Sequence, residues 1–353
     1  MLKFFPKYTN KGASSRYRIY QYQDYFRHYN CVINPFFDEN YIPALSYRNI
    51  KGLLYLSKLY LKQLKKMCLL KPSDVVFVQY EFTPFLPFNT LFFKLFKIKY
   101  IVDFDDAAFH GYDQHKSRVV RGLFKSKIAT VIKHATHVVT GSPYLTSYAL
   151  KYNKNVTEIP TSIDFSKYKI RELELNNDKI VIGWIGSKTT SKNLLELIPT
   201  FNKLQEEGVN FELRFIGFNT ALVKEFDKLP LTIVNWTNDT EVEEIQKFTV
   251  GIMPLEENPF NKGKCAFKLI QYMACAIPTI STPFESNIKV DRGNGNLFAA
   301  NNDEWFLAIK KIKANAEVFR GIGLNNRNVI EKHYSIQANY SSYINIFKTI
   351  KMI

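Results

Sequence analysis

Three lysines and a glutamine occur in one short segment of the C-terminal half of the chain. Lys262, Lys264 and Lys268 precede Gln271, where a turn-rich loop leads into a pattern of helical periodicity. If the helix begins near Gly263, then Lys264, Lys268 and Gln271 form one polar stripe. Cations at a helix N-terminus face the positive end of the helix dipole, so they indicate an anion such as a phosphate. The alternative is that these lysines are simply solvated.

A second candidate for phosphate binding begins at Gly186. A predicted strand runs into Gly186 and Ser187 and then towards a helix opened by Thr190 or Ser191, with Lys192 close behind. Small residues let backbone N–H groups approach an anion, and the lysine adds charge. The segment has neither the dinucleotide glycine pattern nor the Gly-Lys-Ser/Thr ending of a phosphate loop, which disfavours NAD and direct ATP binding.

Acidic residues and a histidine follow a predicted strand in the N-terminal half. Asp105 and Asp106 are adjacent, and His110 follows them. At a strand end the two carboxylates could orient a hydroxyl group or take its proton, with His110 beside them. They could also be a helix cap followed by exposed acids, or a metal-binding pair. The metal interpretation is disfavoured because the phosphate-binding candidates lie in the other half of the chain.

Short apolar runs alternate with amphipathic stretches along the chain. The predicted strands of the second half are residues 180–185, 212–216, 231–235, 250–254, 278–281 and 296–298, and the predicted helices are 191–207, 240–247 and 264–276. The predicted strands of the first half are 2–5, 74–80, 99–104, 137–140 and 156–159, with helices around 15–28 and 49–67. Such alternation produces a parallel sheet covered by helices, so we expect two doubly wound, Rossmann-like α/β lobes.

A turn-rich segment, 160–168, and a polar run, 171–179, separate the two predicted lobes. We therefore expect an N-terminal domain over residues 1–165 and a C-terminal domain over 166–335. The last helix, 336–353, is expected to pack back on the N-terminal domain.

Composition places the chain among globular proteins. It has 353 residues, of which 46% are hydrophobic and 23% charged. Four cysteines without metal-ligand spacing, no secretory signal and no apolar run long enough to span a membrane predict a cytoplasmic protein with reduced thiols. Residues 1–165 carry 24 Lys and Arg against 11 Asp and Glu, a net charge of +13, whereas the rest carries 24 against 21, or +3. This asymmetry indicates that the first lobe meets a polyanion or an anionic membrane, unless the charge merely aids solubility.

Five stretches in the right order resemble the group 1 (family 4) glycosyltransferases of the GT-B fold. The family segment Lys-Leu-x-Glu-Tyr-Met-Ala-x-Gly-x-Pro-Val-Val is matched by residues 268–280, Lys-Leu-Ile-Gln-Tyr-Met-Ala-Cys-Ala-Ile-Pro-Thr-Ile. A strand-end glycine followed six residues later by lysine is matched by Gly186 and Lys192. Residues 281–287 and 293–298 resemble the family's closing segments, and 159–164 resemble its interdomain Ile-Pro-Asn-Gly-Val-Asp. The resemblance implies two Rossmann-like lobes facing a central cleft and a retaining, metal-independent transfer from a nucleotide-diphosphate-sugar.

The resemblance also implies roles for individual residues. Lys268 would lie near the donor's phosphates, Gln271 would replace the glutamate that holds the ribose, and Gly186 and Lys192 would flank the diphosphate. The predicted nucleotide-binding set is Gly186, Ser187, Lys192, Trp236, Gly263, Lys264, Lys268 and Gln271. The family's usual glutamate pair is absent, because Gly263 and Gln271 stand near those positions, and its frequent arginine after the loop glycine is Ser187. Lys192, Lys264 and Lys268 would therefore neutralise more of the diphosphate.

On the acceptor side, residues 10–18 join the first strand to the first helix, a turn that the family uses to approach the transferred sugar and the acceptor. Gly12, Arg16 and Arg18 are the candidates. The alternative is that Ser14 or Ser15 caps the helix and the arginines are solvated.

Basic amphipathic segments at 48–71 and 118–133 suit docking on an anionic leaflet to reach a lipid-linked glycan. We therefore expect a glycan or lipid-linked acceptor, peripheral association with the inner face of the cytoplasmic membrane, and a role in surface polysaccharide biosynthesis. A nucleic-acid-binding protein is a rival suggested by the pI near 9.4, but no recognised module supports it and no nucleic-acid partner is expected. A non-transferase GT-B enzyme, such as a sugar-nucleotide epimerase, is the second rival.

Overall fold

The computed structural model describes residues 1–39, 50–84, 86, 89–170 and 178–352. Its contacts divide the chain into two units. The N-terminal unit comprises Met1–Thr161, Gly263–Cys265 and Asn339–Ile353, and the C-terminal unit comprises Ser162–Lys262 and Ala266–Ala338. Most of the predicted polar linker, residues 171–177, lies outside the described residues, as do the first residues of the basic segment predicted at 48–71.

The N-terminal unit contains a six-stranded parallel sheet. Its strands are β1 (Leu2–Phe5), β2 (Cys31–Ile33), β3 (Val75–Gln79), β4 (Lys99–Phe104), β5 (His137–Thr140) and β6 (Val156–Glu158). They lie in the order β2-β1-β3-β4-β5-β6, and every neighbouring pair is parallel. All five residues of β3 are buried, as expected of a strand covered on both faces. The edge strand β2 was not predicted, because its apolar run is only three residues long and lies between Asn30 and Asn34.

Helices connect and cover these strands. They are α1 (Ala13–Arg18), α2 (Ile50–Cys68), α3 (Asn89–Leu95), α4 (His110–Asp113), α5 (Arg118–Phe124), α6 (Lys127–His134) and α7 (Pro143–Leu150). The single helix predicted at 15–28 is wrong, because α1 ends at Arg18 and two short 3-10 turns follow, Tyr20–Tyr22 and Arg27–Tyr29. Aromatic residues are weak helix formers. Tyr22 stacks on Phe26, and Phe26 stacks on Phe4 of the sheet.

The C-terminal unit contains a second six-stranded parallel sheet. Its strands are β7 (Ile180–Ile185), β8 (Phe211–Ile216), β9 (Leu231–Val234), β10 (Val250–Met253), β11 (Thr279–Ser281) and β12 (Leu297–Phe298). Their order is β12-β11-β10-β7-β8-β9, with all pairs parallel. The first strand of this unit, β7, is thus central, and the direction of strand addition reverses between β7 and β10. This is the order of the Rossmann fold.

The helices of this unit are α8 (Ile198–Glu206), α9 (Glu241–Ile245), α10 (Pro259–Lys262), α11 (Phe267–Ala274), α12 (Glu285–Asp291), α13 (Asn302–Ala314) and α14 (Ala316–Tyr334). The helix predicted to begin near Gly263 begins instead at Phe267. Ala266 stands at its N-cap with φ of 54° and ψ of 23°, in the left-handed region, which an α-helix cannot pass through. The helix predicted at 191–207 is a 3-10 segment, Ser191–Leu197, followed by α8.

The last helix, α15 (Ile336–Met352), contributes aromatic residues to the N-terminal unit. The Phe347 ring lies edge-on to Phe26 at 5.3 Å between centroids, and Tyr343 lies edge-on to Tyr22 at 5.0 Å. In the described part of the chain, no helix is long and apolar enough to cross a membrane.

Candidate functional site

The carboxyl end of β7 marks the switch point of the C-terminal sheet. In open parallel sheets, ligands bind outside the carboxyl ends of the strands, where the strand order reverses. The chain leaves β7 at Gly186, where a Cβ atom would lie 2.4 Å from the Trp184 ring and 2.8 Å from Thr190 Oγ1. Only glycine fits at this point, so the loop backbone packs directly on the indole.

The loop after Gly186 is a compact turn. The Ser187 N–H group donates to Thr190 Oγ1 at 3.1 Å, and the Ser187 carbonyl accepts from the N–H group of Thr190 at 2.9 Å. Lys192 follows with 67% of its side chain exposed, and its ammonium lies 4.0 Å from Glu256. An anion at this loop would meet Lys192 as a surface cation.

Lys268 projects from the first turn of α11. Its ammonium lies over the Trp184 ring, 5.6 Å from the centroid. Because the same indole packs beneath Gly186, the contact places the Lys268 charge beside the loop that follows β7. We call Trp184, Gly186 and Lys268 the β7 cluster. It brings together two of the predicted phosphate-binding residues, although they are separated by more than eighty positions in sequence.

Gln271, three residues further along α11, forms part of a second cluster. Its side chain is 4% exposed, and Nε2 donates to Glu241 Oε1 at 2.7 Å. The Trp236 indole N–H donates to Glu241 Oε2 at 2.5 Å, and the Tyr168 hydroxyl lies 3.5 Å from Oε1. We call Trp236, Glu241 and Gln271 the Glu241 cluster. Glu241 was not predicted from the sequence. It is one of three glutamates in the first turn of a polar helix, and no sequence pattern distinguishes the buried glutamate from the other two.

Gly263 and Lys264 precede α11 in the chain, whereas Lys268 lies within it. The tripeptide Gly263–Cys265 belongs to the N-terminal unit, and the stripe that we predicted for Lys264, Lys268 and Gln271 on one helix is wrong, because Lys264 precedes α11. The Lys264 ammonium forms an ion pair with Asp106 at 2.7 Å. Burial would lower the pKa of Lys264, but Asp106 and then Asp105 raise it above its usual value. The Gly263 carbonyl accepts from Ser142 Oγ at 3.2 Å.

Asp105 is the centre of a hydrogen-bonded network in the N-terminal unit. Its carboxylate accepts from Ser14 Oγ at 2.5 Å and from the Tyr80 hydroxyl, and Gln79 Nε2 donates to Ser14 Oγ at 2.5 Å. We call Ser14, Gln79, Tyr80 and Asp105 the Asp105 cluster. It joins α1 to the carboxyl ends of β3 and β4.

Tyr80 is a residue that the sequence analysis overlooked. It has φ of 62°, which is rare for a bulky side chain, and such backbone strain is concentrated at functional sites. Burial, followed by the charges of Asp105 and Asp106, raises the pKa of Tyr80 well above its usual value. The phenol therefore stays protonated and donates to Asp105. No sequence pattern marks a left-handed tyrosine.

Neither acid acts as a helix cap. α4 begins at His110 with Phe109 at its N-cap, and no side chain bonds to the cap. Within the described residues, no group of three or more His, Cys, Asp or Glu side chains could hold a metal ion. Asp105 and Asp106 are instead engaged by hydroxyl groups and by an ammonium group, respectively.

His110 lies beside these acids in sequence and is mostly buried. Its Nδ1 lies 2.9 Å from Asp113 Oδ1, and its Nε2 lies 2.9 Å from the Tyr144 hydroxyl. The Phe109 ring stacks on Tyr148 at 3.6 Å, which anchors α4 on α7. Both ring nitrogens therefore have partners within the N-terminal unit.

The three acceptor-side candidates differ in their surroundings. Gly12 is the N-cap of α1, where a Cβ atom would lie 2.5 Å from Tyr8. Arg16 is partly buried with its guanidinium 4.9 Å from the Tyr17 ring centroid. Arg18 is 1% exposed and holds Asp103 through two bonds, of 3.0 and 2.5 Å, while also donating to the Ile159 carbonyl at 2.8 Å. The alternative that the arginines of this turn are solvated is therefore wrong for Arg18.

The serines of the same turn do not cap α1. Ser15 Oγ donates to Gln79 Oε1 at 2.6 Å and accepts from the Tyr8 N–H group at 3.0 Å, whereas Ser14 bonds to Asp105. The turn between β1 and α1 is thus attached to the ends of the neighbouring strands. Arg18 holds it through its bonds to Asp103 and the Ile159 carbonyl.

Comparison with known proteins concerns first the C-terminal unit. Residues 179–315 match the family model described as Glycosyl transferases group 1. This segment includes the β7 cluster and the Glu241 cluster. The chain is 22% identical over 208 residues to TuaH of Bacillus subtilis (strain 168), named as a teichuronic acid biosynthesis glycosyltransferase, and 24% identical over 198 residues to CapM of Staphylococcus aureus, a capsular polysaccharide biosynthesis glycosyltransferase. Each match covers 53% of this chain and 50% of the relative, so the chain spans about half the length of these relatives.

The fold is also found in solved structures. HepE of Anabaena, determined in complex with UDP-glucose, superposes with a TM-score of 0.72 at 11% sequence identity, over 99% of this chain and 100% of HepE. At that identity the likeness concerns the fold.

Proposed function

We propose that this chain, whose residues 179–315 match the group 1 glycosyltransferases, transfers a sugar from a nucleotide-diphosphate-sugar to a glycan or lipid-linked glycan in surface polysaccharide biosynthesis. Its fold is that of the GT-B glycosyltransferases. The observation that carries the proposal is the β7 cluster. It places a lysine ammonium beside the switch-point loop of a Rossmann-like sheet, within the segment that matches the family.

On the donor side, Lys268 would neutralise the diphosphate as it leaves. An ammonium fixed where negative charge develops stabilises the transition state without a metal ion. Lys192 would add a second charge from the surface of the same loop. The complex of HepE with UDP-glucose and the polysaccharide roles in the names of TuaH and CapM support a nucleotide-sugar donor and a glycan product.

On the acceptor side, the Asp105 cluster would orient the attacking hydroxyl group. An ionised carboxylate has about four lone-pair sites, and Ser14 and Tyr80 occupy two of them. The remaining sites can accept from an incoming hydroxyl group and take its proton. Asp106 would act less directly, because Lys264 already pairs with it. His110 and Arg16 would contact the donor sugar or the acceptor, and retention of anomeric configuration is part of this proposal.

Arg18 and Gly12 would serve the same chemistry by holding the turn between β1 and α1. With its guanidinium 1% exposed, Arg18 is a positioning residue rather than an acceptor contact. Gly12 allows the chain to pass against Tyr8, where a larger residue would push α1 and its Ser14 away.

The acceptor would be reached at an anionic membrane surface. The exposed face of α2 carries both lysines and large apolar residues, with Leu53, Leu54 and Leu61 each at least 59% exposed. Helix α5 similarly exposes Val119 and Leu123, at 68% and 69%, beside Arg118. Cationic helices that present leucines to solvent bind anionic interfaces through charge and apolar insertion together.

The test begins with binding. Thermal shifts with UDP, GDP, ADP, CMP and dTDP identify the nucleotide, because a ligand stabilises the fold to which it binds. The corresponding nucleotide-sugars are then incubated with and without short glycan and lipid-linked acceptors. Transfer of labelled sugar, with the nucleoside diphosphate as co-product, is the expected result. A change in the donor sugar without any acceptor would identify an epimerase, and the absence of nucleotide binding would refute the donor site.

A further inference from the structure

Glu241 is a carboxylate buried inside the C-terminal unit and held by neutral groups. It is 7% exposed, yet it accepts hydrogen bonds from an amide and an indole, and a phenol lies within 3.5 Å. Burial of a charged group raises the free energy of the folded state unless the hydrogen bonds of the group are satisfied. Its two closest donors, Trp236 and Gln271, are residues that the sequence analysis associated with the nucleotide.

The carboxylate determines which way the Gln271 amide points. An ionised carboxylate can only accept hydrogen bonds, so Gln271 must present Nε2 to Glu241. The carbonyl oxygen, Oε1, is then directed away from Glu241 as an acceptor. Glutamate at position 271 would instead set two carboxylates 2.7 Å apart, where both cannot be ionised. Glutamine at this position is therefore the chemical complement of Glu241.

The same carboxylate fixes the plane of an aromatic ring. The Trp236 indole N–H is bonded to Oε2 at 2.5 Å, while 37% of the residue remains exposed. Gly217, with φ of 72°, lies next to it, and a Cβ atom there would be 3.4 Å from Trp236 Cβ. An immobilised ring with an exposed face is a stacking surface for a planar base.

We infer that Glu241 is a positioning residue for the nucleoside half of the donor: it holds Trp236 as a stacking surface and turns Gln271 Oε1 outward to accept a hydrogen bond from a ribose hydroxyl. The inference rests on the proposed function. Its geometry agrees with the β7 cluster, because residues three apart on a helix are neighbours, so Gln271 lies one turn from the phosphate-binding Lys268.

Glu241→Gln is expected to reverse the orientation of the Gln271 amide. The new amide still accepts from Trp236 through Oε1, but its Nε2 now faces Gln271. Gln271 must rotate to accept, which turns its own Nε2 outward. In the double variant Glu241→Gln/Gln271→Glu, the amide at 241 donates to a carboxylate at 271, whose second oxygen again faces outward as an acceptor. The hydrogen-bond polarity at the ligand is thus inverted in the first variant and restored in the second.

The experiment is calorimetric titration with UDP, GDP and ADP, each compared with its 2′,3′-dideoxy analogue. For the wild type we expect one diphosphate to bind and its dideoxy analogue to bind about 10-fold more weakly, the scale of one hydrogen bond. Glu241→Gln should weaken the diphosphate by about 10-fold and reduce the dideoxy penalty to about 2-fold. Gln271→Glu should also weaken binding, and the double variant should recover to within about 3-fold of the wild type, because the two sites are coupled. Glu243→Gln, an exposed change of the same charge on the same helix, should leave binding unchanged.

Three outcomes separate the hypotheses. If the wild type binds none of these three diphosphates and also fails to bind dTDP, titrated against its 3′-deoxy analogue, the proposed donor function fails and this inference fails with it. If the wild type binds but Glu241→Gln keeps the full dideoxy penalty, or the double variant is no better than the weaker single variant, only the inference is refuted. Melting temperatures accompany each titration, and the double variant provides the measurement if Glu241→Gln does not fold.

Discussion

Lys268 allows the sharpest test of the donor site, because its charge can be removed while its packing is kept. The ammonium lies 5.6 Å from the Trp184 ring centroid, so the side-chain stem passes along the indole. Lys268→Met preserves an apolar stem of similar length on that ring and deletes only the charge. The packing of Trp184 beneath Gly186 should therefore survive, and any change in affinity reports on the anion.

The expected loss follows from the position of the charge. Two unit charges 4 Å apart interact by about 4 kcal/mol at an effective dielectric constant of 20. Lys268 is only partly buried, so screening reduces this towards the value for a hydrogen bond to a charged group, roughly 1.5–3 kcal/mol. A loss of about 2 kcal/mol corresponds to a dissociation constant about 30-fold higher for the nucleoside diphosphate.

The assay is titration with the diphosphate and with the matching nucleoside, which has no phosphate. Lys268→Met should weaken the former and leave the latter unchanged. Lys203→Met is a matched control, because Lys203 also lies over an aromatic ring, 4.5 Å from the Phe306 centroid, and pairs with Asp303 at the surface. Equal effects of Lys268→Met and Lys203→Met on diphosphate binding, or an equal loss for the nucleoside, would contradict the assignment of Lys268 to the phosphates.

Three further results are expected. Asp105→Asn should reduce turnover by about 100-fold or more while nucleotide affinity stays near that of the wild type, since the carboxylate serves the acceptor; full turnover with a lower melting temperature would make Asp105 structural. Arg18→Met leaves Asp103 buried without its partner and should cost about 3–5 kcal/mol, which lowers the melting temperature by roughly 6–20 °C for a unit of this size; an unchanged melting temperature combined with weaker acceptor binding would restore Arg18 as an acceptor contact. Binding to vesicles should increase with anionic lipid, decrease with added salt and weaken in Leu53→Ser/Leu61→Ser, whereas equal binding to neutral and anionic vesicles would refute the electrostatic component.

The order of strands and helices was largely predictable because it depends on local patterns. Continuous apolar runs such as those of β3 and β7 are characteristic of parallel strands buried on both faces. Helix ends were less predictable. The beginning of α11 depends on the left-handed conformation of Ala266, and alanine, the best helix former, predicts the opposite. The stripe proposed for Lys264 was wrong for this reason.

The candidate site was predictable where a motif marks a residue by its neighbours in sequence. Lys268, Gly186 and Gln271 were found because each stands in a segment of recognisable pattern, and the structure places Lys268 and Gly186 around one indole. Arg18 shows the limit of this reasoning. Its position in the turn predicted an acceptor contact, with a solvated cation as the alternative, but its burial beside Asp103 depends on a strand 85 residues away.

The sequence by itself determined the two α/β units and the resemblance of residues 179–315 to the group 1 glycosyltransferases, because apolar periodicity and short motifs are properties of neighbouring residues. Only the tertiary structure decided which of the many acids and aromatic residues are candidates for the site. Glu241 and Tyr80 became candidates because one carboxylate is buried against Gln271 and one tyrosine is held in the left-handed region beside Asp105. Burial and backbone strain arise from contacts between distant segments. No local pattern encodes them.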